Sequence, residues 1–252
     1  MSFSIVDREM MSRALVLAAK GRYTSSPNPT IGCVISIGDQ IVGEGSTRPS
    51  GGNHAEIEAL NQVSDAANSC VYVTLEPCSH QGKTGPCALA LIEARVARVV
   101  IACEDPNPVV AGSGIKLLQE AGIEVECGLL EDQAREVNKG FFKRHEHGLP
   151  WVLVKMAASM DGRTAMASGQ SQWVTTPASR QDVQRLRAAS CAIITGIGTQ
   201  LMDDPSLTVR ITREELGVHD PLIQPLRVVV DSQLQMQPSA RMIAQPGNTL
   251  IA

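Results

Sequence analysis

The chain is short of aromatic residues, which make up 3% of it: two Trp, two Tyr and three Phe. It also lacks a basic surplus, with 22 Lys and Arg against 26 Asp and Glu for a net charge of −4. Nucleic-acid binding draws on a basic surface interleaved with stacking aromatics, so both shortages argue against a nucleic-acid partner. No apolar run is long enough to span a bilayer, which excludes a membrane-spanning helix. The opening Met1-Ser2-Phe3-Ser4-Ile5-Val6-Asp7 holds no apolar core of signal-peptide length, so the expected compartment is the cytoplasm. Seven cysteines at irregular spacing give an odd count, which argues against a disulfide framework and for a reducing environment. No internal repeat or low-complexity tract breaks the pattern. What remains is a 252-residue chain, 43% hydrophobic and 19% charged, sized for one large soluble domain or two modest ones.

Within it, strand and helix signals alternate. Met10, Met11, Ala14, Leu15, Leu17 and Ala18 recur at helical spacing between Asp7 and Lys20, with Asp7 placed to cap the start and Gly21 to end it. Gly38-Asp39-Gln40 separates two apolar runs and predicts a hairpin. Helices are then expected at 54–63, 88–95, 115–121 and 130–139, and strands at 70–75, 96–103 and 123–127. The alternation implies an α/β architecture, a parallel sheet with an antiparallel edge contributed by the hairpin. A polar seam at His145–Pro150, with Gly148 and Pro150, places a boundary at 147/148. A second α/β pattern follows, with strands at 151–158, 191–196 and 226–231 and a helix from Pro177 to Ala189 opened by Thr176.

The densest chemistry lies in the first part. His54-Ala55-Glu56 is followed by Glu76-Pro77-Cys78 and, after eight residues, by Cys87. One imidazole and two thiols suit a tetrahedral zinc ion whose fourth position is left for water, and the carboxylate two residues after the His is placed to move protons. The order H-x-E then P-C resembles the signature of zinc nucleobase deaminases, in which the two Cys stand two residues apart. All three ligands fall at element junctions, where sites gather in open α/β sheets. Taken singly, each is better read as a buried thiol or a helix cap; the combination favours Zn2+. The remaining five cysteines are expected to be core packing.

The stretch Thr74 to Cys87, together with Asp105-Pro106-Asn107-Pro108, resembles the bifunctional deaminase–reductases of riboflavin biosynthesis, in which a cytidine-deaminase-like domain precedes a dihydrofolate-reductase-like one. The wide Cys spacing is that family's own form. The resemblance implies a three-layer α/β/α deaminase domain over residues 1–147 and a partial reductase-like α/β domain over 148–252. It implies His54, Cys78 and Cys87 as zinc ligands, Glu56 as the proton shuttle, and Asn28, His80, Lys83, Asp105 and Asn107 as substrate contacts. The substrate implied is a small phosphorylated pyrimidine, 2,5-diamino-6-(5-phosphoribosylamino)pyrimidin-4(3H)-one, deaminated to 5-amino-6-(5-phosphoribosylamino)uracil. Lys83 would meet the phosphate as a point charge. One departure is Thr47, where many members carry a His; the contact is lost there or taken over by Arg48.

Residues 155–162, 171–173, 196–199, 203–210 and 230–232 resemble the family's reductase domain, which reduces the ribosyl side chain with NADPH. The matching positions are Ala157, Trp173, Thr199, Asp203 and Ser232 toward NADP, and Ser171, Arg187, Leu207 and Arg210 toward substrate. Arg187 and Arg210 suit a phosphate clamp. This second part is short for such a domain and stops at what reads as the start of a strand, Asn248–Ala252. The family's later glycine-rich segment is not found, so the expectation is a chain that deaminates but binds NADPH poorly. A cytidine- or guanine-type deaminase and a non-catalytic structural-zinc module are the competing readings. The oligomeric state is left open, a homo-oligomer included.

Overall fold

The computed structural model describes residues 3–81 and 85–252. It divides into two compact units, Met1–Trp151 and Val152–Ala252.

The first unit begins with helix α1, Ile5–Lys20. Its cap is Ser4 rather than Asp7: the Ser4 hydroxyl accepts the Asp7 N–H, and the Asp7 carboxylate accepts the Ser4 N–H, a reciprocal capping box. The expected hairpin forms as β1 (Gly32–Ile37) and β2 (Gln40–Ser46). The chain continues through α2 (Ala55–Leu60), β3 (Cys70–Val73), α3 (Cys87–Glu93), β4 (Arg98–Ile101), α4 (Ser113–Glu120) and β5 (Glu124–Cys127). The single helix expected at 130–139 is instead two, α5 (Glu131–Val137) and α6 (Lys139–His147). Asn138 breaks them because its side-chain amide is claimed elsewhere: Oδ1 accepts the Thr30 N–H and Nδ2 donates to the Thr30 carbonyl, each at 2.8 Å.

The sheet runs in the order β2-β1-β3-β4-β5, with β1 antiparallel to both neighbours and β3, β4 and β5 parallel. Side chains alternate across it, as strand geometry demands. Cys33, Ile35, Val71, Val73, Val99 and Ile101 face one core with α2, α3 and α4. Val34, Tyr72 and Val100 face the other with α1, α5 and α6. The result is the expected three-layer α/β/α domain with a mixed sheet.

One edge of the second core carries charge. The Asp7 carboxylate, buried, accepts from Arg98 at 2.6 Å and from the Tyr72 hydroxyl at 2.9 Å, and Arg98 also donates to Glu126 at 2.8 Å. The Arg98 guanidinium holds the Asp7 carboxyl well below the ordinary carboxylate range. A carboxyl whose pKa falls on folding stabilises the fold above its unfolded value, 3.8, and that contribution fades as pH drops through it. Asp7→Asn is expected to cost about 1.5–3 kcal/mol at neutral pH, the range for hydrogen bonds to charged groups. Urea unfolding of both proteins between neutral pH and about pH 3 should show the gap narrowing as acid is added. A gap independent of pH would refute this assignment.

The second unit contains α7 (Pro177–Ala188), β6 (Ala192–Gly196), α8 (Ile197–Asp203), α9 (Arg213–Leu216), β7 (Leu226–Val230) and β8 (Thr249–Ile251). Thr176 caps α7 as expected, accepting the Ser179 N–H. The three strands form a parallel sheet in the order β6-β7-β8. Its core gathers Leu207, Val229, Met236, Ala240 and Met242. Arg227 lies inside, donating to Thr249 and to the carbonyls of Gln245, Pro246 and Gly247, which anchors the turn leading into β8.

The strand expected at 151–158 does not form. Its apolar run is right for a strand, but no described strand pairs with it, and Val152, Leu153, Val154 and Met156 are exposed. A strand is defined by its ladder, and periodicity alone cannot supply the neighbour.

Candidate metal centre and active site

His54 is the N-cap of α2, its backbone extended; Glu56 is the second residue of that helix. The helix is pressed onto β2 because two strand residues have no side chain. A Cβ built at Gly45 would stand 2.0 Å from the Ala55 carbonyl oxygen, and one at Gly43 would stand 2.4 Å from that of Ala59. Cys78 follows the end of β3, and Cys87 opens α3.

These three junctions converge. The His54 Nδ1 lies 3.6 Å from the Cys78 Sγ and 3.3 Å from the Cys87 Sγ, and the three donor atoms all fall within 4.8 Å of one another. The Cys87 backbone N–H also points at the Cys78 sulfur, 3.3 Å away. The two thiols are pushed apart: interaction with the Cys87 thiol draws Cys78 toward the thiolate, and the pKa of Cys87 rises in consequence. His54 is pushed up, chiefly by its hydrogen bond to the Cys78 sulfur. A cluster that competes for protons in this way has the donor chemistry of a zinc site, where a cation takes the protons' place.

Glu56 is 1% exposed, and its Oε2 has no hydrogen-bond partner. Burial first, then the Cys78 thiolate, push its carboxyl up to about 7. A group so tuned can both take and give a proton at neutral pH.

The other positions are placed as follows. Asp105 is buried; its carboxylate accepts the Asn107 N–H at 2.8 Å, and burial raises its pKa. Asn107 turns its own Oδ1 to the Val109 N–H, so it also shapes the loop. His80 is exposed, and its charge acts on Asp105. Asn28 is exposed in a turn closed by its N–H to the Ser25 carbonyl. Lys83 lies outside the described residues. Thr47 is not an open contact: it is buried, and its hydroxyl accepts the Ile31 N–H at 2.9 Å. The Arg48 Nε lies 3.0 Å from the Glu58 carboxylate. The sequence reading passed over Glu76, a buried acid immediately before Pro77-Cys78; its signal was a carboxylate at the end of an apolar strand.

In the second unit, Thr199 and Asp203 stand on α8, directly after β6, and Ser232 follows β7. All three lie beyond the C-terminal ends of parallel strands, where ligands bind in open α/β sheets. Arg187, on α7, donates to the Thr208 carbonyl at 3.2 Å, and the charge of Arg210 helps lower its pKa, though burial does more. Leu207 is buried with φ of 49°. Trp173 is exposed beneath the Arg180 guanidinium, 4.3 Å from ring centroid to carbon. Ala157 and Ser171 are half-buried in segments without regular structure.

A mixed-sheet domain with this cluster, followed by a parallel α/β unit, defines a zinc-dependent deaminase joined to a reductase domain. Residues 4–103 match the cytidine and deoxycytidylate deaminase zinc-binding region, and residues 150–252 match the RibD C-terminal domain. The riboflavin biosynthesis protein RibD of Escherichia coli K12 is 51% identical, over 98% of this chain and 69% of its own length. The structure of Acinetobacter baumannii RibD superimposes with a TM-score of 0.91 at 47% identity, covering 98% of this chain and 69% of that one. A diaminohydroxyphosphoribosylaminopyrimidine deaminase/5-amino-6-(5-phosphoribosylamino)uracil reductase from Thermotoga maritima gives 0.88 at 33% identity, with the same coverage. The chain belongs to the RibD family, the deaminase–reductases of riboflavin biosynthesis. No helix among the described residues is long and apolar enough to cross a membrane.

Proposed function

We propose that the first unit, with its functional limit at residue 147, removes the C2 amine of 2,5-diamino-6-(5-phosphoribosylamino)pyrimidin-4(3H)-one as ammonia. The product is 5-amino-6-(5-phosphoribosylamino)uracil. The observation that carries this reading is one buried carboxyl, Glu56, with an unpartnered oxygen, beside three convergent metal donors.

His54, Cys78 and Cys87 would hold Zn2+, which supplies Lewis-acid activation of water. The rest falls to the chain. Glu56 accepts a proton from the water whose oxygen bonds to C2. It then delivers that proton to the departing nitrogen as the C2–N bond breaks, and the water's second proton ends on the adjacent ring nitrogen, so water and amine become carbonyl and ammonia. Asp105 and Asn107 offer acceptor and donor groups to the heterocycle edge; Asn28 and His80 are assigned further substrate contacts, and Lys83 is assigned to the phosphate. The partner is thus a small phosphorylated molecule, not a nucleic acid, in the cytoplasm.

The second unit carries the positions that, in a complete reductase domain, would serve the reduction of the ribosyl side chain by NADPH. Ala157, Trp173, Thr199, Asp203 and Ser232 are assigned to the cofactor, and Ser171, Arg187, Leu207 and Arg210 to the substrate.

Metal content and ammonia release, measured on the same purified chain, test the deaminase reading. The expected result is about one zinc per chain, loss of ammonia release on chelation, and recovery when zinc is returned. A chain without metal that zinc does not activate would refute it.

A further inference from the structure

We infer that Glu76 is a positioning residue, which sets the substrate-facing Asp105–Asn107 loop against the metal-binding loop. The inference rests on the deaminase reading above and deepens it.

Glu76 stands two residues before Cys78 and is 2% exposed. Its carboxylate accepts four hydrogen bonds, all from backbone N–H groups of one segment. Oε2 takes those of Asp105 at 3.2 Å and Gly112 at 2.9 Å; Oε1 takes those of Gly114 at 2.8 Å and Ile115 at 3.2 Å. Three of the four donors lie at the start of α4, so the charge also meets the positive end of that helix. No cation is among these partners. A buried carboxylate held by neutral donors alone is costly to desolvate, and here its whole hydrogen-bonding capacity goes to fixing one loop.

Two further contacts make the clamp tight. The Ser79 and Ser113 hydroxyls meet at 2.6 Å, one residue past Cys78 in the chain. A Cβ at Gly114 would stand 2.0 Å from the Pro77 carbonyl oxygen, so α4 is seated directly on the chain between Glu76 and Cys78. Residues 76–79, which carry one metal ligand, and residues 105–115, which carry the groups assigned to the heterocycle, therefore move as one body. Within it, Asp105 is tied to Glu76 through its own N–H, and Asn107 to Asp105 through the next hydrogen bond.

Glu76→Gln keeps the shape but turns one acceptor oxygen into an NH2 donor facing two N–H groups. The loop must shift, while His54, Cys78, Cys87 and Glu56 keep their side chains. Steady-state ammonia release from the diaminopyrimidinone substrate, with zinc content measured on the same sample, is the test. The expected result is wild-type zinc content, a KM raised about tenfold or more, and a kcat within about threefold of wild type, the pattern of lost binding shared by ground and transition states. Glu76→Asp, which keeps the charge on a shorter stem, should show a smaller shift in the same direction. A wild-type KM in metal-loaded Glu76→Gln, even with a lowered melting temperature, would make Glu76 a stability residue and overturn the inference. So would failure of both variants to fold with zinc bound. A wild-type chain that releases no ammonia would instead strike at the deaminase reading itself.

Discussion

Glu56→Gln is expected to retain zinc at the wild-type level and to lose about 10²–10⁴-fold in kcat, the range that a positioned general acid–base contributes. The side chain is isosteric, and Glu56 is not among the three convergent metal donors, so the metal cluster should survive. What disappears is a carboxyl beside the cluster that can exchange a proton near neutrality, pushed up to about 7 by burial and the Cys78 thiolate. The variant should also fold at least as well as wild type. An amide carries no charge to desolvate in a site that is 1% exposed, so removing the carboxylate relieves a cost of folding. Zinc content, unfolding by denaturant and ammonia release together check the prediction. Unchanged ammonia release would favour the structural-zinc reading, in which Glu56 has no chemistry to do.

The metal cluster was legible in the sequence because its information is local. Glu56 follows His54 at a fixed offset, and Cys78 and Cys87 sit at the edges of elements whose apolar periodicity is plain. The alternation of strands and helices likewise carried the α/β architecture with its mixed sheet, and the family resemblance supplied the three layers. What escaped were features that depend on distant neighbours. Asp7 reads as a helix cap, yet its partner Arg98 is 91 positions away, and no pattern near either residue announces the pair. Asn138 reads as helix interior until Thr30 claims its amide. The run at 151–158 reads as a strand, but a ladder needs a partner that periodicity does not reveal. Glu76 was hidden in another way. An acid before Pro looks like loop punctuation, and only the approach of α4 shows that its carboxylate has four donors around it.

Gly45→Ala is expected to add a methyl that damages both the fold of the first unit and its metal site. Gly45 lies on β2 beneath α2, and an added Cβ would stand 2.0 Å from the Ala55 carbonyl oxygen, 2.8 Å from the Ala59 nitrogen and 2.9 Å from the Glu58 Cβ. Two of those atoms are backbone, so no rotamer change relieves the clash, and the whole helix must lift. That helix carries His54 at its cap and Glu56 in its first turn. The substitution should therefore cost about 3 kcal/mol, the upper end of ordinary overpacking, and weaken zinc binding in the same protein. Gly38→Ala is the informative control. Gly38 sits in the β1–β2 turn with φ of 58° and nothing within 4 Å of a built Cβ, so its penalty is conformational only, about 1 kcal/mol. Denaturant unfolding and zinc titration of both variants separate the two effects. Gly38→Ala should lose a little stability and no zinc affinity, and Gly45→Ala should lose both. Equal stability losses, with zinc affinity intact in each, would mean that α2 adjusts freely on β2. The strand would then not be what places His54 and Glu56 beside the two thiols.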